Sequence, residues 1–261
     1  MSSRGGEPAV KVAVCVKQVA TLGDEVEFTD DERDVDPDFL DHALNEWDSY
    51  ATEEALQLVE RAGEGEVVVV SVGDDDAEDA MRRVLAMGAG RGIRIWSDGL
   101  TGADPITVAR ALAGVVREES PDLVLCGVQS SDSVQAATGV ALAELLGLPH
   151  VAVVTKVSLG EGAATVNREL EGGLVDVVEV DTPCVLTIQT GINEPRYATL
   201  RAIKQAEQKE IEVREPDAVG EPAYRVRRMF VPPKGEGAEM LDGSPTEIAQ
   251  RIKEIVQERL A

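Results

Sequence analysis

Val10-Lys-Val-Ala-Val-Cys-Val16 and Val67-Val-Val-Val-Ser-Val72 decide the fold. Both runs are short, rich in β-branched residues and apolar at nearly every position. They lack the every-other-residue alternation of a strand with one face in water, and so they predict strands buried on both faces, as in a parallel sheet. Ile93–Trp96 and Leu123–Cys126 continue the series. Between these runs, Ser49–Arg61, Ala77–Met87, Pro105–Glu118 and Gln135–Leu146 have helical spacing; Val140, Leu142, Leu145 and Leu146 are the larger apolar residues of the last. Strand–helix–strand alternation with right-handed crossovers predicts a doubly wound α/β fold with a mostly parallel sheet.

After Pro149 the pattern changes. Val151–Leu159, Ala164–Leu170, Val175–Val180 and Cys184–Gln189 read as strands, with glycine turns at 160–162 and 172–173. They predict an antiparallel addition before the chain returns to the sheet. Tyr197–Glu210 reads as a helix rich in Lys, Gln and Glu. Residues 214–244 contain Pro216, Pro222, Pro232, Pro233 and four glycines, which predicts an extended arm with little core. A last helix, Pro245–Leu260, has Ser244 as N-cap with Glu247 three residues on, and Ile248, Ile252, Ile255 and Val256 on one face. The division is therefore an α/β domain over residues 1–213, and an arm with helix over 214–261, whose apolar face calls for a partner surface.

The chain has 261 residues, 43% hydrophobic and 28% charged, enough to bury a full-sized core. Its net charge of -24 repels phosphate backbones and anionic headgroups, so nucleic-acid and membrane-surface binding are disfavoured. The acidic residues are spread along the whole chain, as in proteins kept soluble in high salt, which points to a halophilic source. Cys15, Cys126 and Cys184 are scattered and odd in number, which argues against a disulfide framework, an iron–sulfur cluster or a zinc site, and suits a reducing cytoplasm. With only His42 and His150, histidine-rich metal or triad chemistry is nearly excluded. Met1–Pro8 is too short and polar for a signal peptide, and no apolar run approaches the roughly 20 residues that a bilayer span needs.

Gly88-Ala-Gly-Arg-Gly92 looks like a dinucleotide loop, but it follows a helix and opens a strand, so it reads as a helix C-cap. No phosphate-loop NTPase motif occurs. Asp74-Asp-Asp76 and Asp30–Asp38 lack the spacing of a calcium loop, and the triplet is expected to cap a helix start. Gly127-Val-Gln-Ser-Ser-Asp-Ser-Val-Gln-Ala-Ala-Thr-Gly139 differs, because it follows a strand directly and leads into a helix. That places Gly127 at a carboxyl edge, where open α/β sheets bind ligands, with hydroxyls and free helix-start N–H groups suited to a phosphate. Taken locally, a ligand loop and an ordinary polar βα loop remain equally open. Asn45-Glu-Trp-Asp-Ser-Tyr-Ala-Thr-Glu-Glu-Ala55 puts Trp47 and Tyr50 three apart at a helix start, either as core anchors or with Trp47 against a flat ring.

Thr190-Gly-Ile-Asn-Glu-Pro-Arg-Tyr-Ala-Thr-Leu200, preceded by Asn167-Arg-Glu-Leu-Glu-Gly-Gly173, strongly resembles the signature of the electron transfer flavoprotein β subunit. Val12-Ala-Val-Cys-Val-Lys-Gln-Val19, the Asn45–Ala55 segment, Met87-Gly-Ala-Gly-Arg91 and Leu125-Cys-Gly-Val-Gln129 match the same family in order and spacing. The likeness covers roughly residues 10–213, and the arm fits more loosely through Pro232-Pro233 and the last helix. The resemblance implies a flavodoxin-like, adenine nucleotide α-hydrolase-like fold and a heterodimer in which the C-terminal arm embraces an α subunit. FAD is then held mainly by α and covered by β, while β itself buries AMP, or a second FAD in electron-bifurcating members.

Carried over by position, the nucleotide contacts are Cys15, Asn45, Val72, Gly127, Gln129, Asp132, Ala136, Ala137 and Thr138, with Trp47 facing the α-bound flavin. Gly191, Ile192, Asn193, Glu194, Pro195, Arg196 and Tyr197 lie in the implied partner-recognition loop, with Ile192 as the apolar anchor. The implied donors are acyl-CoA or other flavin dehydrogenases, as in fatty acid β-oxidation, and the implied acceptor is quinone-linked.

Three departures stand out. Glu46 replaces a usual proline. Ala136-Ala137 replaces Asn-Gln, which leaves backbone N–H groups to bind phosphate. No aromatic stands near Leu22. Thr138 favours AMP, since its hydroxyl suits a terminal phosphate dianion, whereas the two alanines open space for FAD. Nothing in the sequence resembles an activated nucleophile with its base, so the chain is expected to be an electron carrier subunit and not an enzyme. The rivals are a free-standing ATP- or AMP-binding module of the stress-protein type, which leaves residues 190–261 without a purpose, and a nucleotide hydrolase, which lacks its glycine loop.

Overall fold

The computed structural model describes residues 9–23, 25–216, 220–233, 235, 237–238 and 240–260. The signal-peptide reading of Met1–Pro8 lies outside them. The first half of the chain runs β1 (Val10–Val16), β2 (Gln18–Leu22), β3 (Leu40–Leu44), α1 (Glu46–Ala62), β4 (Gly65–Val72), α2 (Ala77–Met87), β5 (Arg91–Ile95), α3 (Pro105–Glu119) and β6 (Leu123–Gly127). There follow α4 (Thr138–Leu146), β7 (His150–Leu159), β8 (Ala163–Glu169), β9 (Val175–Asp181), β10 (Cys184–Ile188), α5 (Leu200–Ala206), β11 (Ile211–Arg214) and α6 (Pro245–Leu260).

Nine strands form one sheet in the order β11-β5-β4-β1-β6-β10-β7-β8-β9. Every pair from β11 to β7 is parallel, and β7–β8 and β8–β9 are the antiparallel addition. The unbroken apolar runs serve two layers at once. Val12, Val14, Val67, Val69, Leu123 and Leu125 face one core with Ala51, Ala55 and Leu58 of α1 and Met81, Val84 and Leu85 of α2. Cys15, Val68, Val70, Val124 and Cys126 face the other, with Leu112 and Val116 of α3 and Leu142 of α4. Successive side chains leave a strand on opposite faces, so both faces need apolar residues and the strand loses its alternation.

The structure departs from the sequence reading in four places. β2 and β3 form a separate antiparallel pair, Gln18↔Leu44 to Leu22↔Leu40, that the sequence did not announce. Only Val19 of β2 is buried, so there is no apolar run to detect. Helix α4 begins at Thr138 and not Gln135, because Val134 and Ala136 take left-handed φ values of 50° and 49° that no α-helix admits. The helix expected over 197–210 is shorter. Thr199 caps it by accepting from the Ala202 amide at 3.2 Å, and the chain beyond becomes the edge strand β11. At Asp74-Asp-Asp76 the carboxylates do not cap α2: backbone turns bond the amides of Ala77, Glu78 and Asp79, and Asp75 instead pairs with the buried Arg94 at 2.6 Å.

Gly88 ends α2 at φ 137° and leads into β5, as its context requires. In the 30–38 stretch, Asp31 accepts from Thr29 and Arg33, and Asp36 caps a short 3-10 turn. Ser244 and Glu247 form the reciprocal box that starts α6. That helix buries no residue, and none among those described is long and apolar enough to cross a membrane.

Candidate functional site

After β1 the chain builds β4 and β5 on one side, and β6 then begins the other side, so the order reverses between β1 and β6. Crevices of this kind, beyond the carboxyl ends of two diverging strands, are where open α/β sheets take ligands. The two ends are Val16–Lys17 and Cys126–Gly127, and one side chain ties them. Asp48, in the first turn of α1, accepts the Lys17 amide on Oδ2 at 2.7 Å and the Gly127 amide on Oδ1 at 3.0 Å. Burial pushes its carboxyl up to about 7 against the pull of those donors. A Cβ at Gly127 would lie 2.3 Å from Asp48 Oδ1 and 2.6 Å from the Trp47 Cβ, so only glycine fits.

Asn45 is 1% exposed and staples the cleft. Its Nδ2 donates to the Gln129 carbonyl at 2.8 Å, and its Oδ1 accepts the Ser131 amide at 3.3 Å. Lys17 Nζ crosses to Asp132 at 2.7 Å, where Ser130 Oγ also donates at 2.7 Å. Burial works against ionisation of Asp132, but Lys17 and Ser130 outweigh it and hold the carboxyl below its usual range. At the far end of the loop Ala137 is the N-cap residue of α4 and provides no side-chain cap. The amides of Thr138, Gly139 and Val140 carry no hydrogen bond among the described residues. Gly139 presses α4 onto the sheet, since a Cβ there would stand 2.7 Å from Thr187 Cγ2.

Cys15 and Cys126 are register partners one residue below the strand ends, and the hydrogen bond between them, with burial, pushes the Cys126 thiol well up. Val72 ends β4, one strand further out, packed on the α3 side. The structure thus gathers Asn45, Trp47, Gly127, Gln129 and Asp132 about the β1–β6 crevice, puts Cys15 beneath it and Ala136–Thr138 along its edge, and leaves Val72 at its flank.

Trp47 is half-buried, and its Nε1 donates to Gln189 Oε1 at 3.0 Å, which also accepts the Thr190 amide at 3.0 Å. Gln189 therefore fixes the indole and the start of the 191–197 segment together. Beyond Gly191, at φ 82°, Asn193 donates to the Tyr50 carbonyl at 3.1 Å and to Glu54 at 3.2 Å. Arg196 is clamped by Glu53 at 2.8 Å and Glu60 at 2.7 Å. Burial raises the Glu53 carboxyl, but Arg196 and Gln57 outweigh this and hold it low. Pro195 is half-buried, while Gly191, Glu194 and Tyr197 face outward, Tyr197 at 97% exposure. Ile192 packs half-buried against the α1-side core.

The family model described as the electron transfer flavoprotein domain matches residues 38–219. The chain belongs to the electron transfer flavoprotein family. It is similar to electron transfer flavoprotein subunit beta of Methylophilus methylotrophus, 45% identical over 261 aligned residues that cover 95% of this chain and 98% of the relative. The subunit of the same name in Syntrophomonas wolfei is 36% identical, covering 94% and 95%. The mitochondrial one of Oryza sativa is 33% identical, covering 94% and 98%. The chain is thus an electron transfer flavoprotein β subunit.

In this β subunit the sequence reading missed Asp48, Lys17 and Gln189. Asp48 had a detectable signal: with Ala51, Thr52, Ala55 and Leu58 it lies on the stripe that α1 buries, where an acidic residue needs a partner. Lys17 and Gln189 are polar residues at strand ends, and nothing local distinguishes them.

Proposed function

We propose that the chain works as one half of a heterodimer whose α subunit holds most of an FAD, and that its own crevice binds AMP. The observation that carries the nucleotide reading is the uncapped start of α4 beside Gly127. Three free amides and the Thr138 hydroxyl form a donor set suited to a phosphate dianion. Ala136 and Ala137 leave that task to the backbone, while Lys17, paired with Asp132, holds the start of the same loop. Cys15, Asn45, Val72, Gly127, Gln129 and Asp132 complete the contacts, with Asn45 acting through the loop that it staples.

The flavin supplies the redox chemistry when bound. The chain's own residues position and exclude: Trp47, held by Gln189, covers the flavin, while Asp48 keeps the crevice at a fixed width. The Gly191–Tyr197 segment is the docking loop, held stiff by Asn193 and Arg196 and presenting Ile192 to a flavin dehydrogenase such as an acyl-CoA dehydrogenase. A quinone-linked acceptor takes the electrons onward. The setting is a cytoplasm, and the acidity fits a salt-rich one. Residues 214–261 fasten the α subunit, since α6 brings an apolar stripe that its own domain leaves uncovered. Acid extraction of the co-expressed heterodimer tests the reading. One FAD and one AMP per dimer supports it; two FAD and no AMP replaces the AMP site by a second flavin site, and a colourless monomer overturns the reading.

A further inference from the structure

We infer that residues 220–229 of the arm form the outer wall of the nucleotide crevice, and that Tyr224 and Gln135 are the pair that positions this wall. The arm does not leave its own domain at once. The Ala223 amide donates to Asp104 Oδ2 at 2.7 Å. Next, the Tyr224 hydroxyl meets the Gln135 side-chain amide, which donates to it. Further on, the Met229 amide donates to the Glu32 carbonyl at 2.7 Å, and Arg228 pairs with the Glu32 carboxylate at 2.7 Å. These three anchors lie in the β5–α3, β6–α4 and β2–β3 connections. All three connections leave the carboxyl edge of the sheet or its inserted hairpin, on both sides of the β1–β6 crevice. A chain threaded through them crosses the mouth.

The anchors differ in kind. Asp104 is a preformed acceptor: it is buried and already caps α3 through the amides of Ile106 and Thr107 at 2.9 and 3.2 Å. Gln135 stands between Val134 and Ala136, two non-glycine residues in left-handed conformations that persist only when their surroundings hold them. Asn45 and Lys17 hold the start of that loop, Tyr224 reaches its far end at Gln135, and the loop leads straight to the free amides of Thr138–Val140. The same stretch carries Arg225, Arg227 and Arg228; Arg225 pairs with Glu221 at 3.6 Å and Arg228 with Glu32 at 2.7 Å, so their charge helps to hold the stretch in place within a chain of net charge -24. The same arm runs on to α6, which buries nothing on its own domain. An α subunit that orders the arm therefore orders the wall, so nucleotide retention and subunit association are linked, each strengthening the other by the same factor.

The inference rests on the nucleotide reading above, and its test separates the two. Tyr224→Phe, Gln135→Ala and the double variant are made in the co-expressed heterodimer, and release of bound AMP is followed after a chase with excess unlabelled AMP. Each single variant is expected to release AMP roughly 2- to 10-fold faster, the factor that one hydrogen bond carries. The double is expected to be no faster than the faster single, because the pair acts as a unit. Flavin content and the thermal midpoint should stay at wild-type values, and trypsin should cut after Arg225 and Arg227 sooner in the variants than in the wild type. Wild-type release rates in both singles, additive effects, or a lowered midpoint with unchanged release overturns the wall. A wild-type heterodimer without adenine nucleotide overturns the functional reading and the wall together, whereas AMP held equally by all variants overturns the wall alone.

Discussion

Gly127 and Asp48 meet so closely that either can be altered only at a cost. A methyl group at Gly127 would enter the Asp48 carboxylate and the Trp47 Cβ, so Gly127→Ala should destabilise the domain by about 1–3 kcal/mol and loosen the crevice. Urea unfolding checks this, and an unchanged midpoint would refute it. Asp48 sets a pH slope. Its carboxyl is raised from 3.8 to about 7 in the folded chain, so between those values the native state keeps a proton that the unfolded chain has released. Stability should therefore fall as pH rises from about 4 to about 7 and then level off, and Asp48→Asn should flatten that slope in pH-dependent thermal melts. Ile192 carries the third residue-scale expectation. Ile192 is already half-buried on its own domain, so burying the rest of its side chain in a partner contributes roughly 0.8–1.5 kcal/mol, and Ile192→Ala should raise the Michaelis constant for a cognate dehydrogenase about 3- to 10-fold without changing flavin content. A wild-type constant would remove the residue from the docking loop. The glycine and the isoleucine were legible in their motifs, whereas Asp48 was legible only as an acidic residue on an apolar stripe.

Among the elements, the long ones follow from sequence and the short ones do not. β1, α2 and α6 run over the residues that their periodicity predicts, because each has enough apolar positions to fix its phase. β2 and β3, with five residues each, take their pairing from the hairpin and its neighbours. The start of α4 is set by two left-handed residues that local propensity does not favour, and this moves the free amides from Gln135 to Thr138. The arm and α6 carry the prediction at this scale. Truncation after Arg214 should leave a folded core, since no residue of α6 is buried, but one that no longer co-purifies with an α subunit on size exclusion. Retained stoichiometric association would refute the assembly role.

Over the whole molecule, charge is the dominant feature. Among the described residues only Asp48, Glu53, Glu54, Asp104 and Glu119 are buried acids, and the rest of the acidic excess faces solvent. Exposed like charges are screened once the Debye length shrinks from about 10 Å at 0.1 M salt to about 3 Å at 1 M. Raising KCl across that range should therefore raise the thermal midpoint, and a midpoint that falls would contradict a surface governed by self-repulsion. The sequence by itself determined the layered α/β architecture, the parallel strands and the charge, because those depend on composition and on periods of 2 and 3.6 residues within one element. It also carried the family, through motifs read in order. Only the tertiary structure decided how the crevice is held. Asp48 bridges two strands whose ends lie 110 residues apart in the chain (Lys17 and Gly127), Gln189 steadies Trp47, and the arm returns to Asp104, Gln135 and Glu32. Those contacts join residues far apart in sequence, where no local period reaches, and they exist only once the sheet has brought the strand ends together.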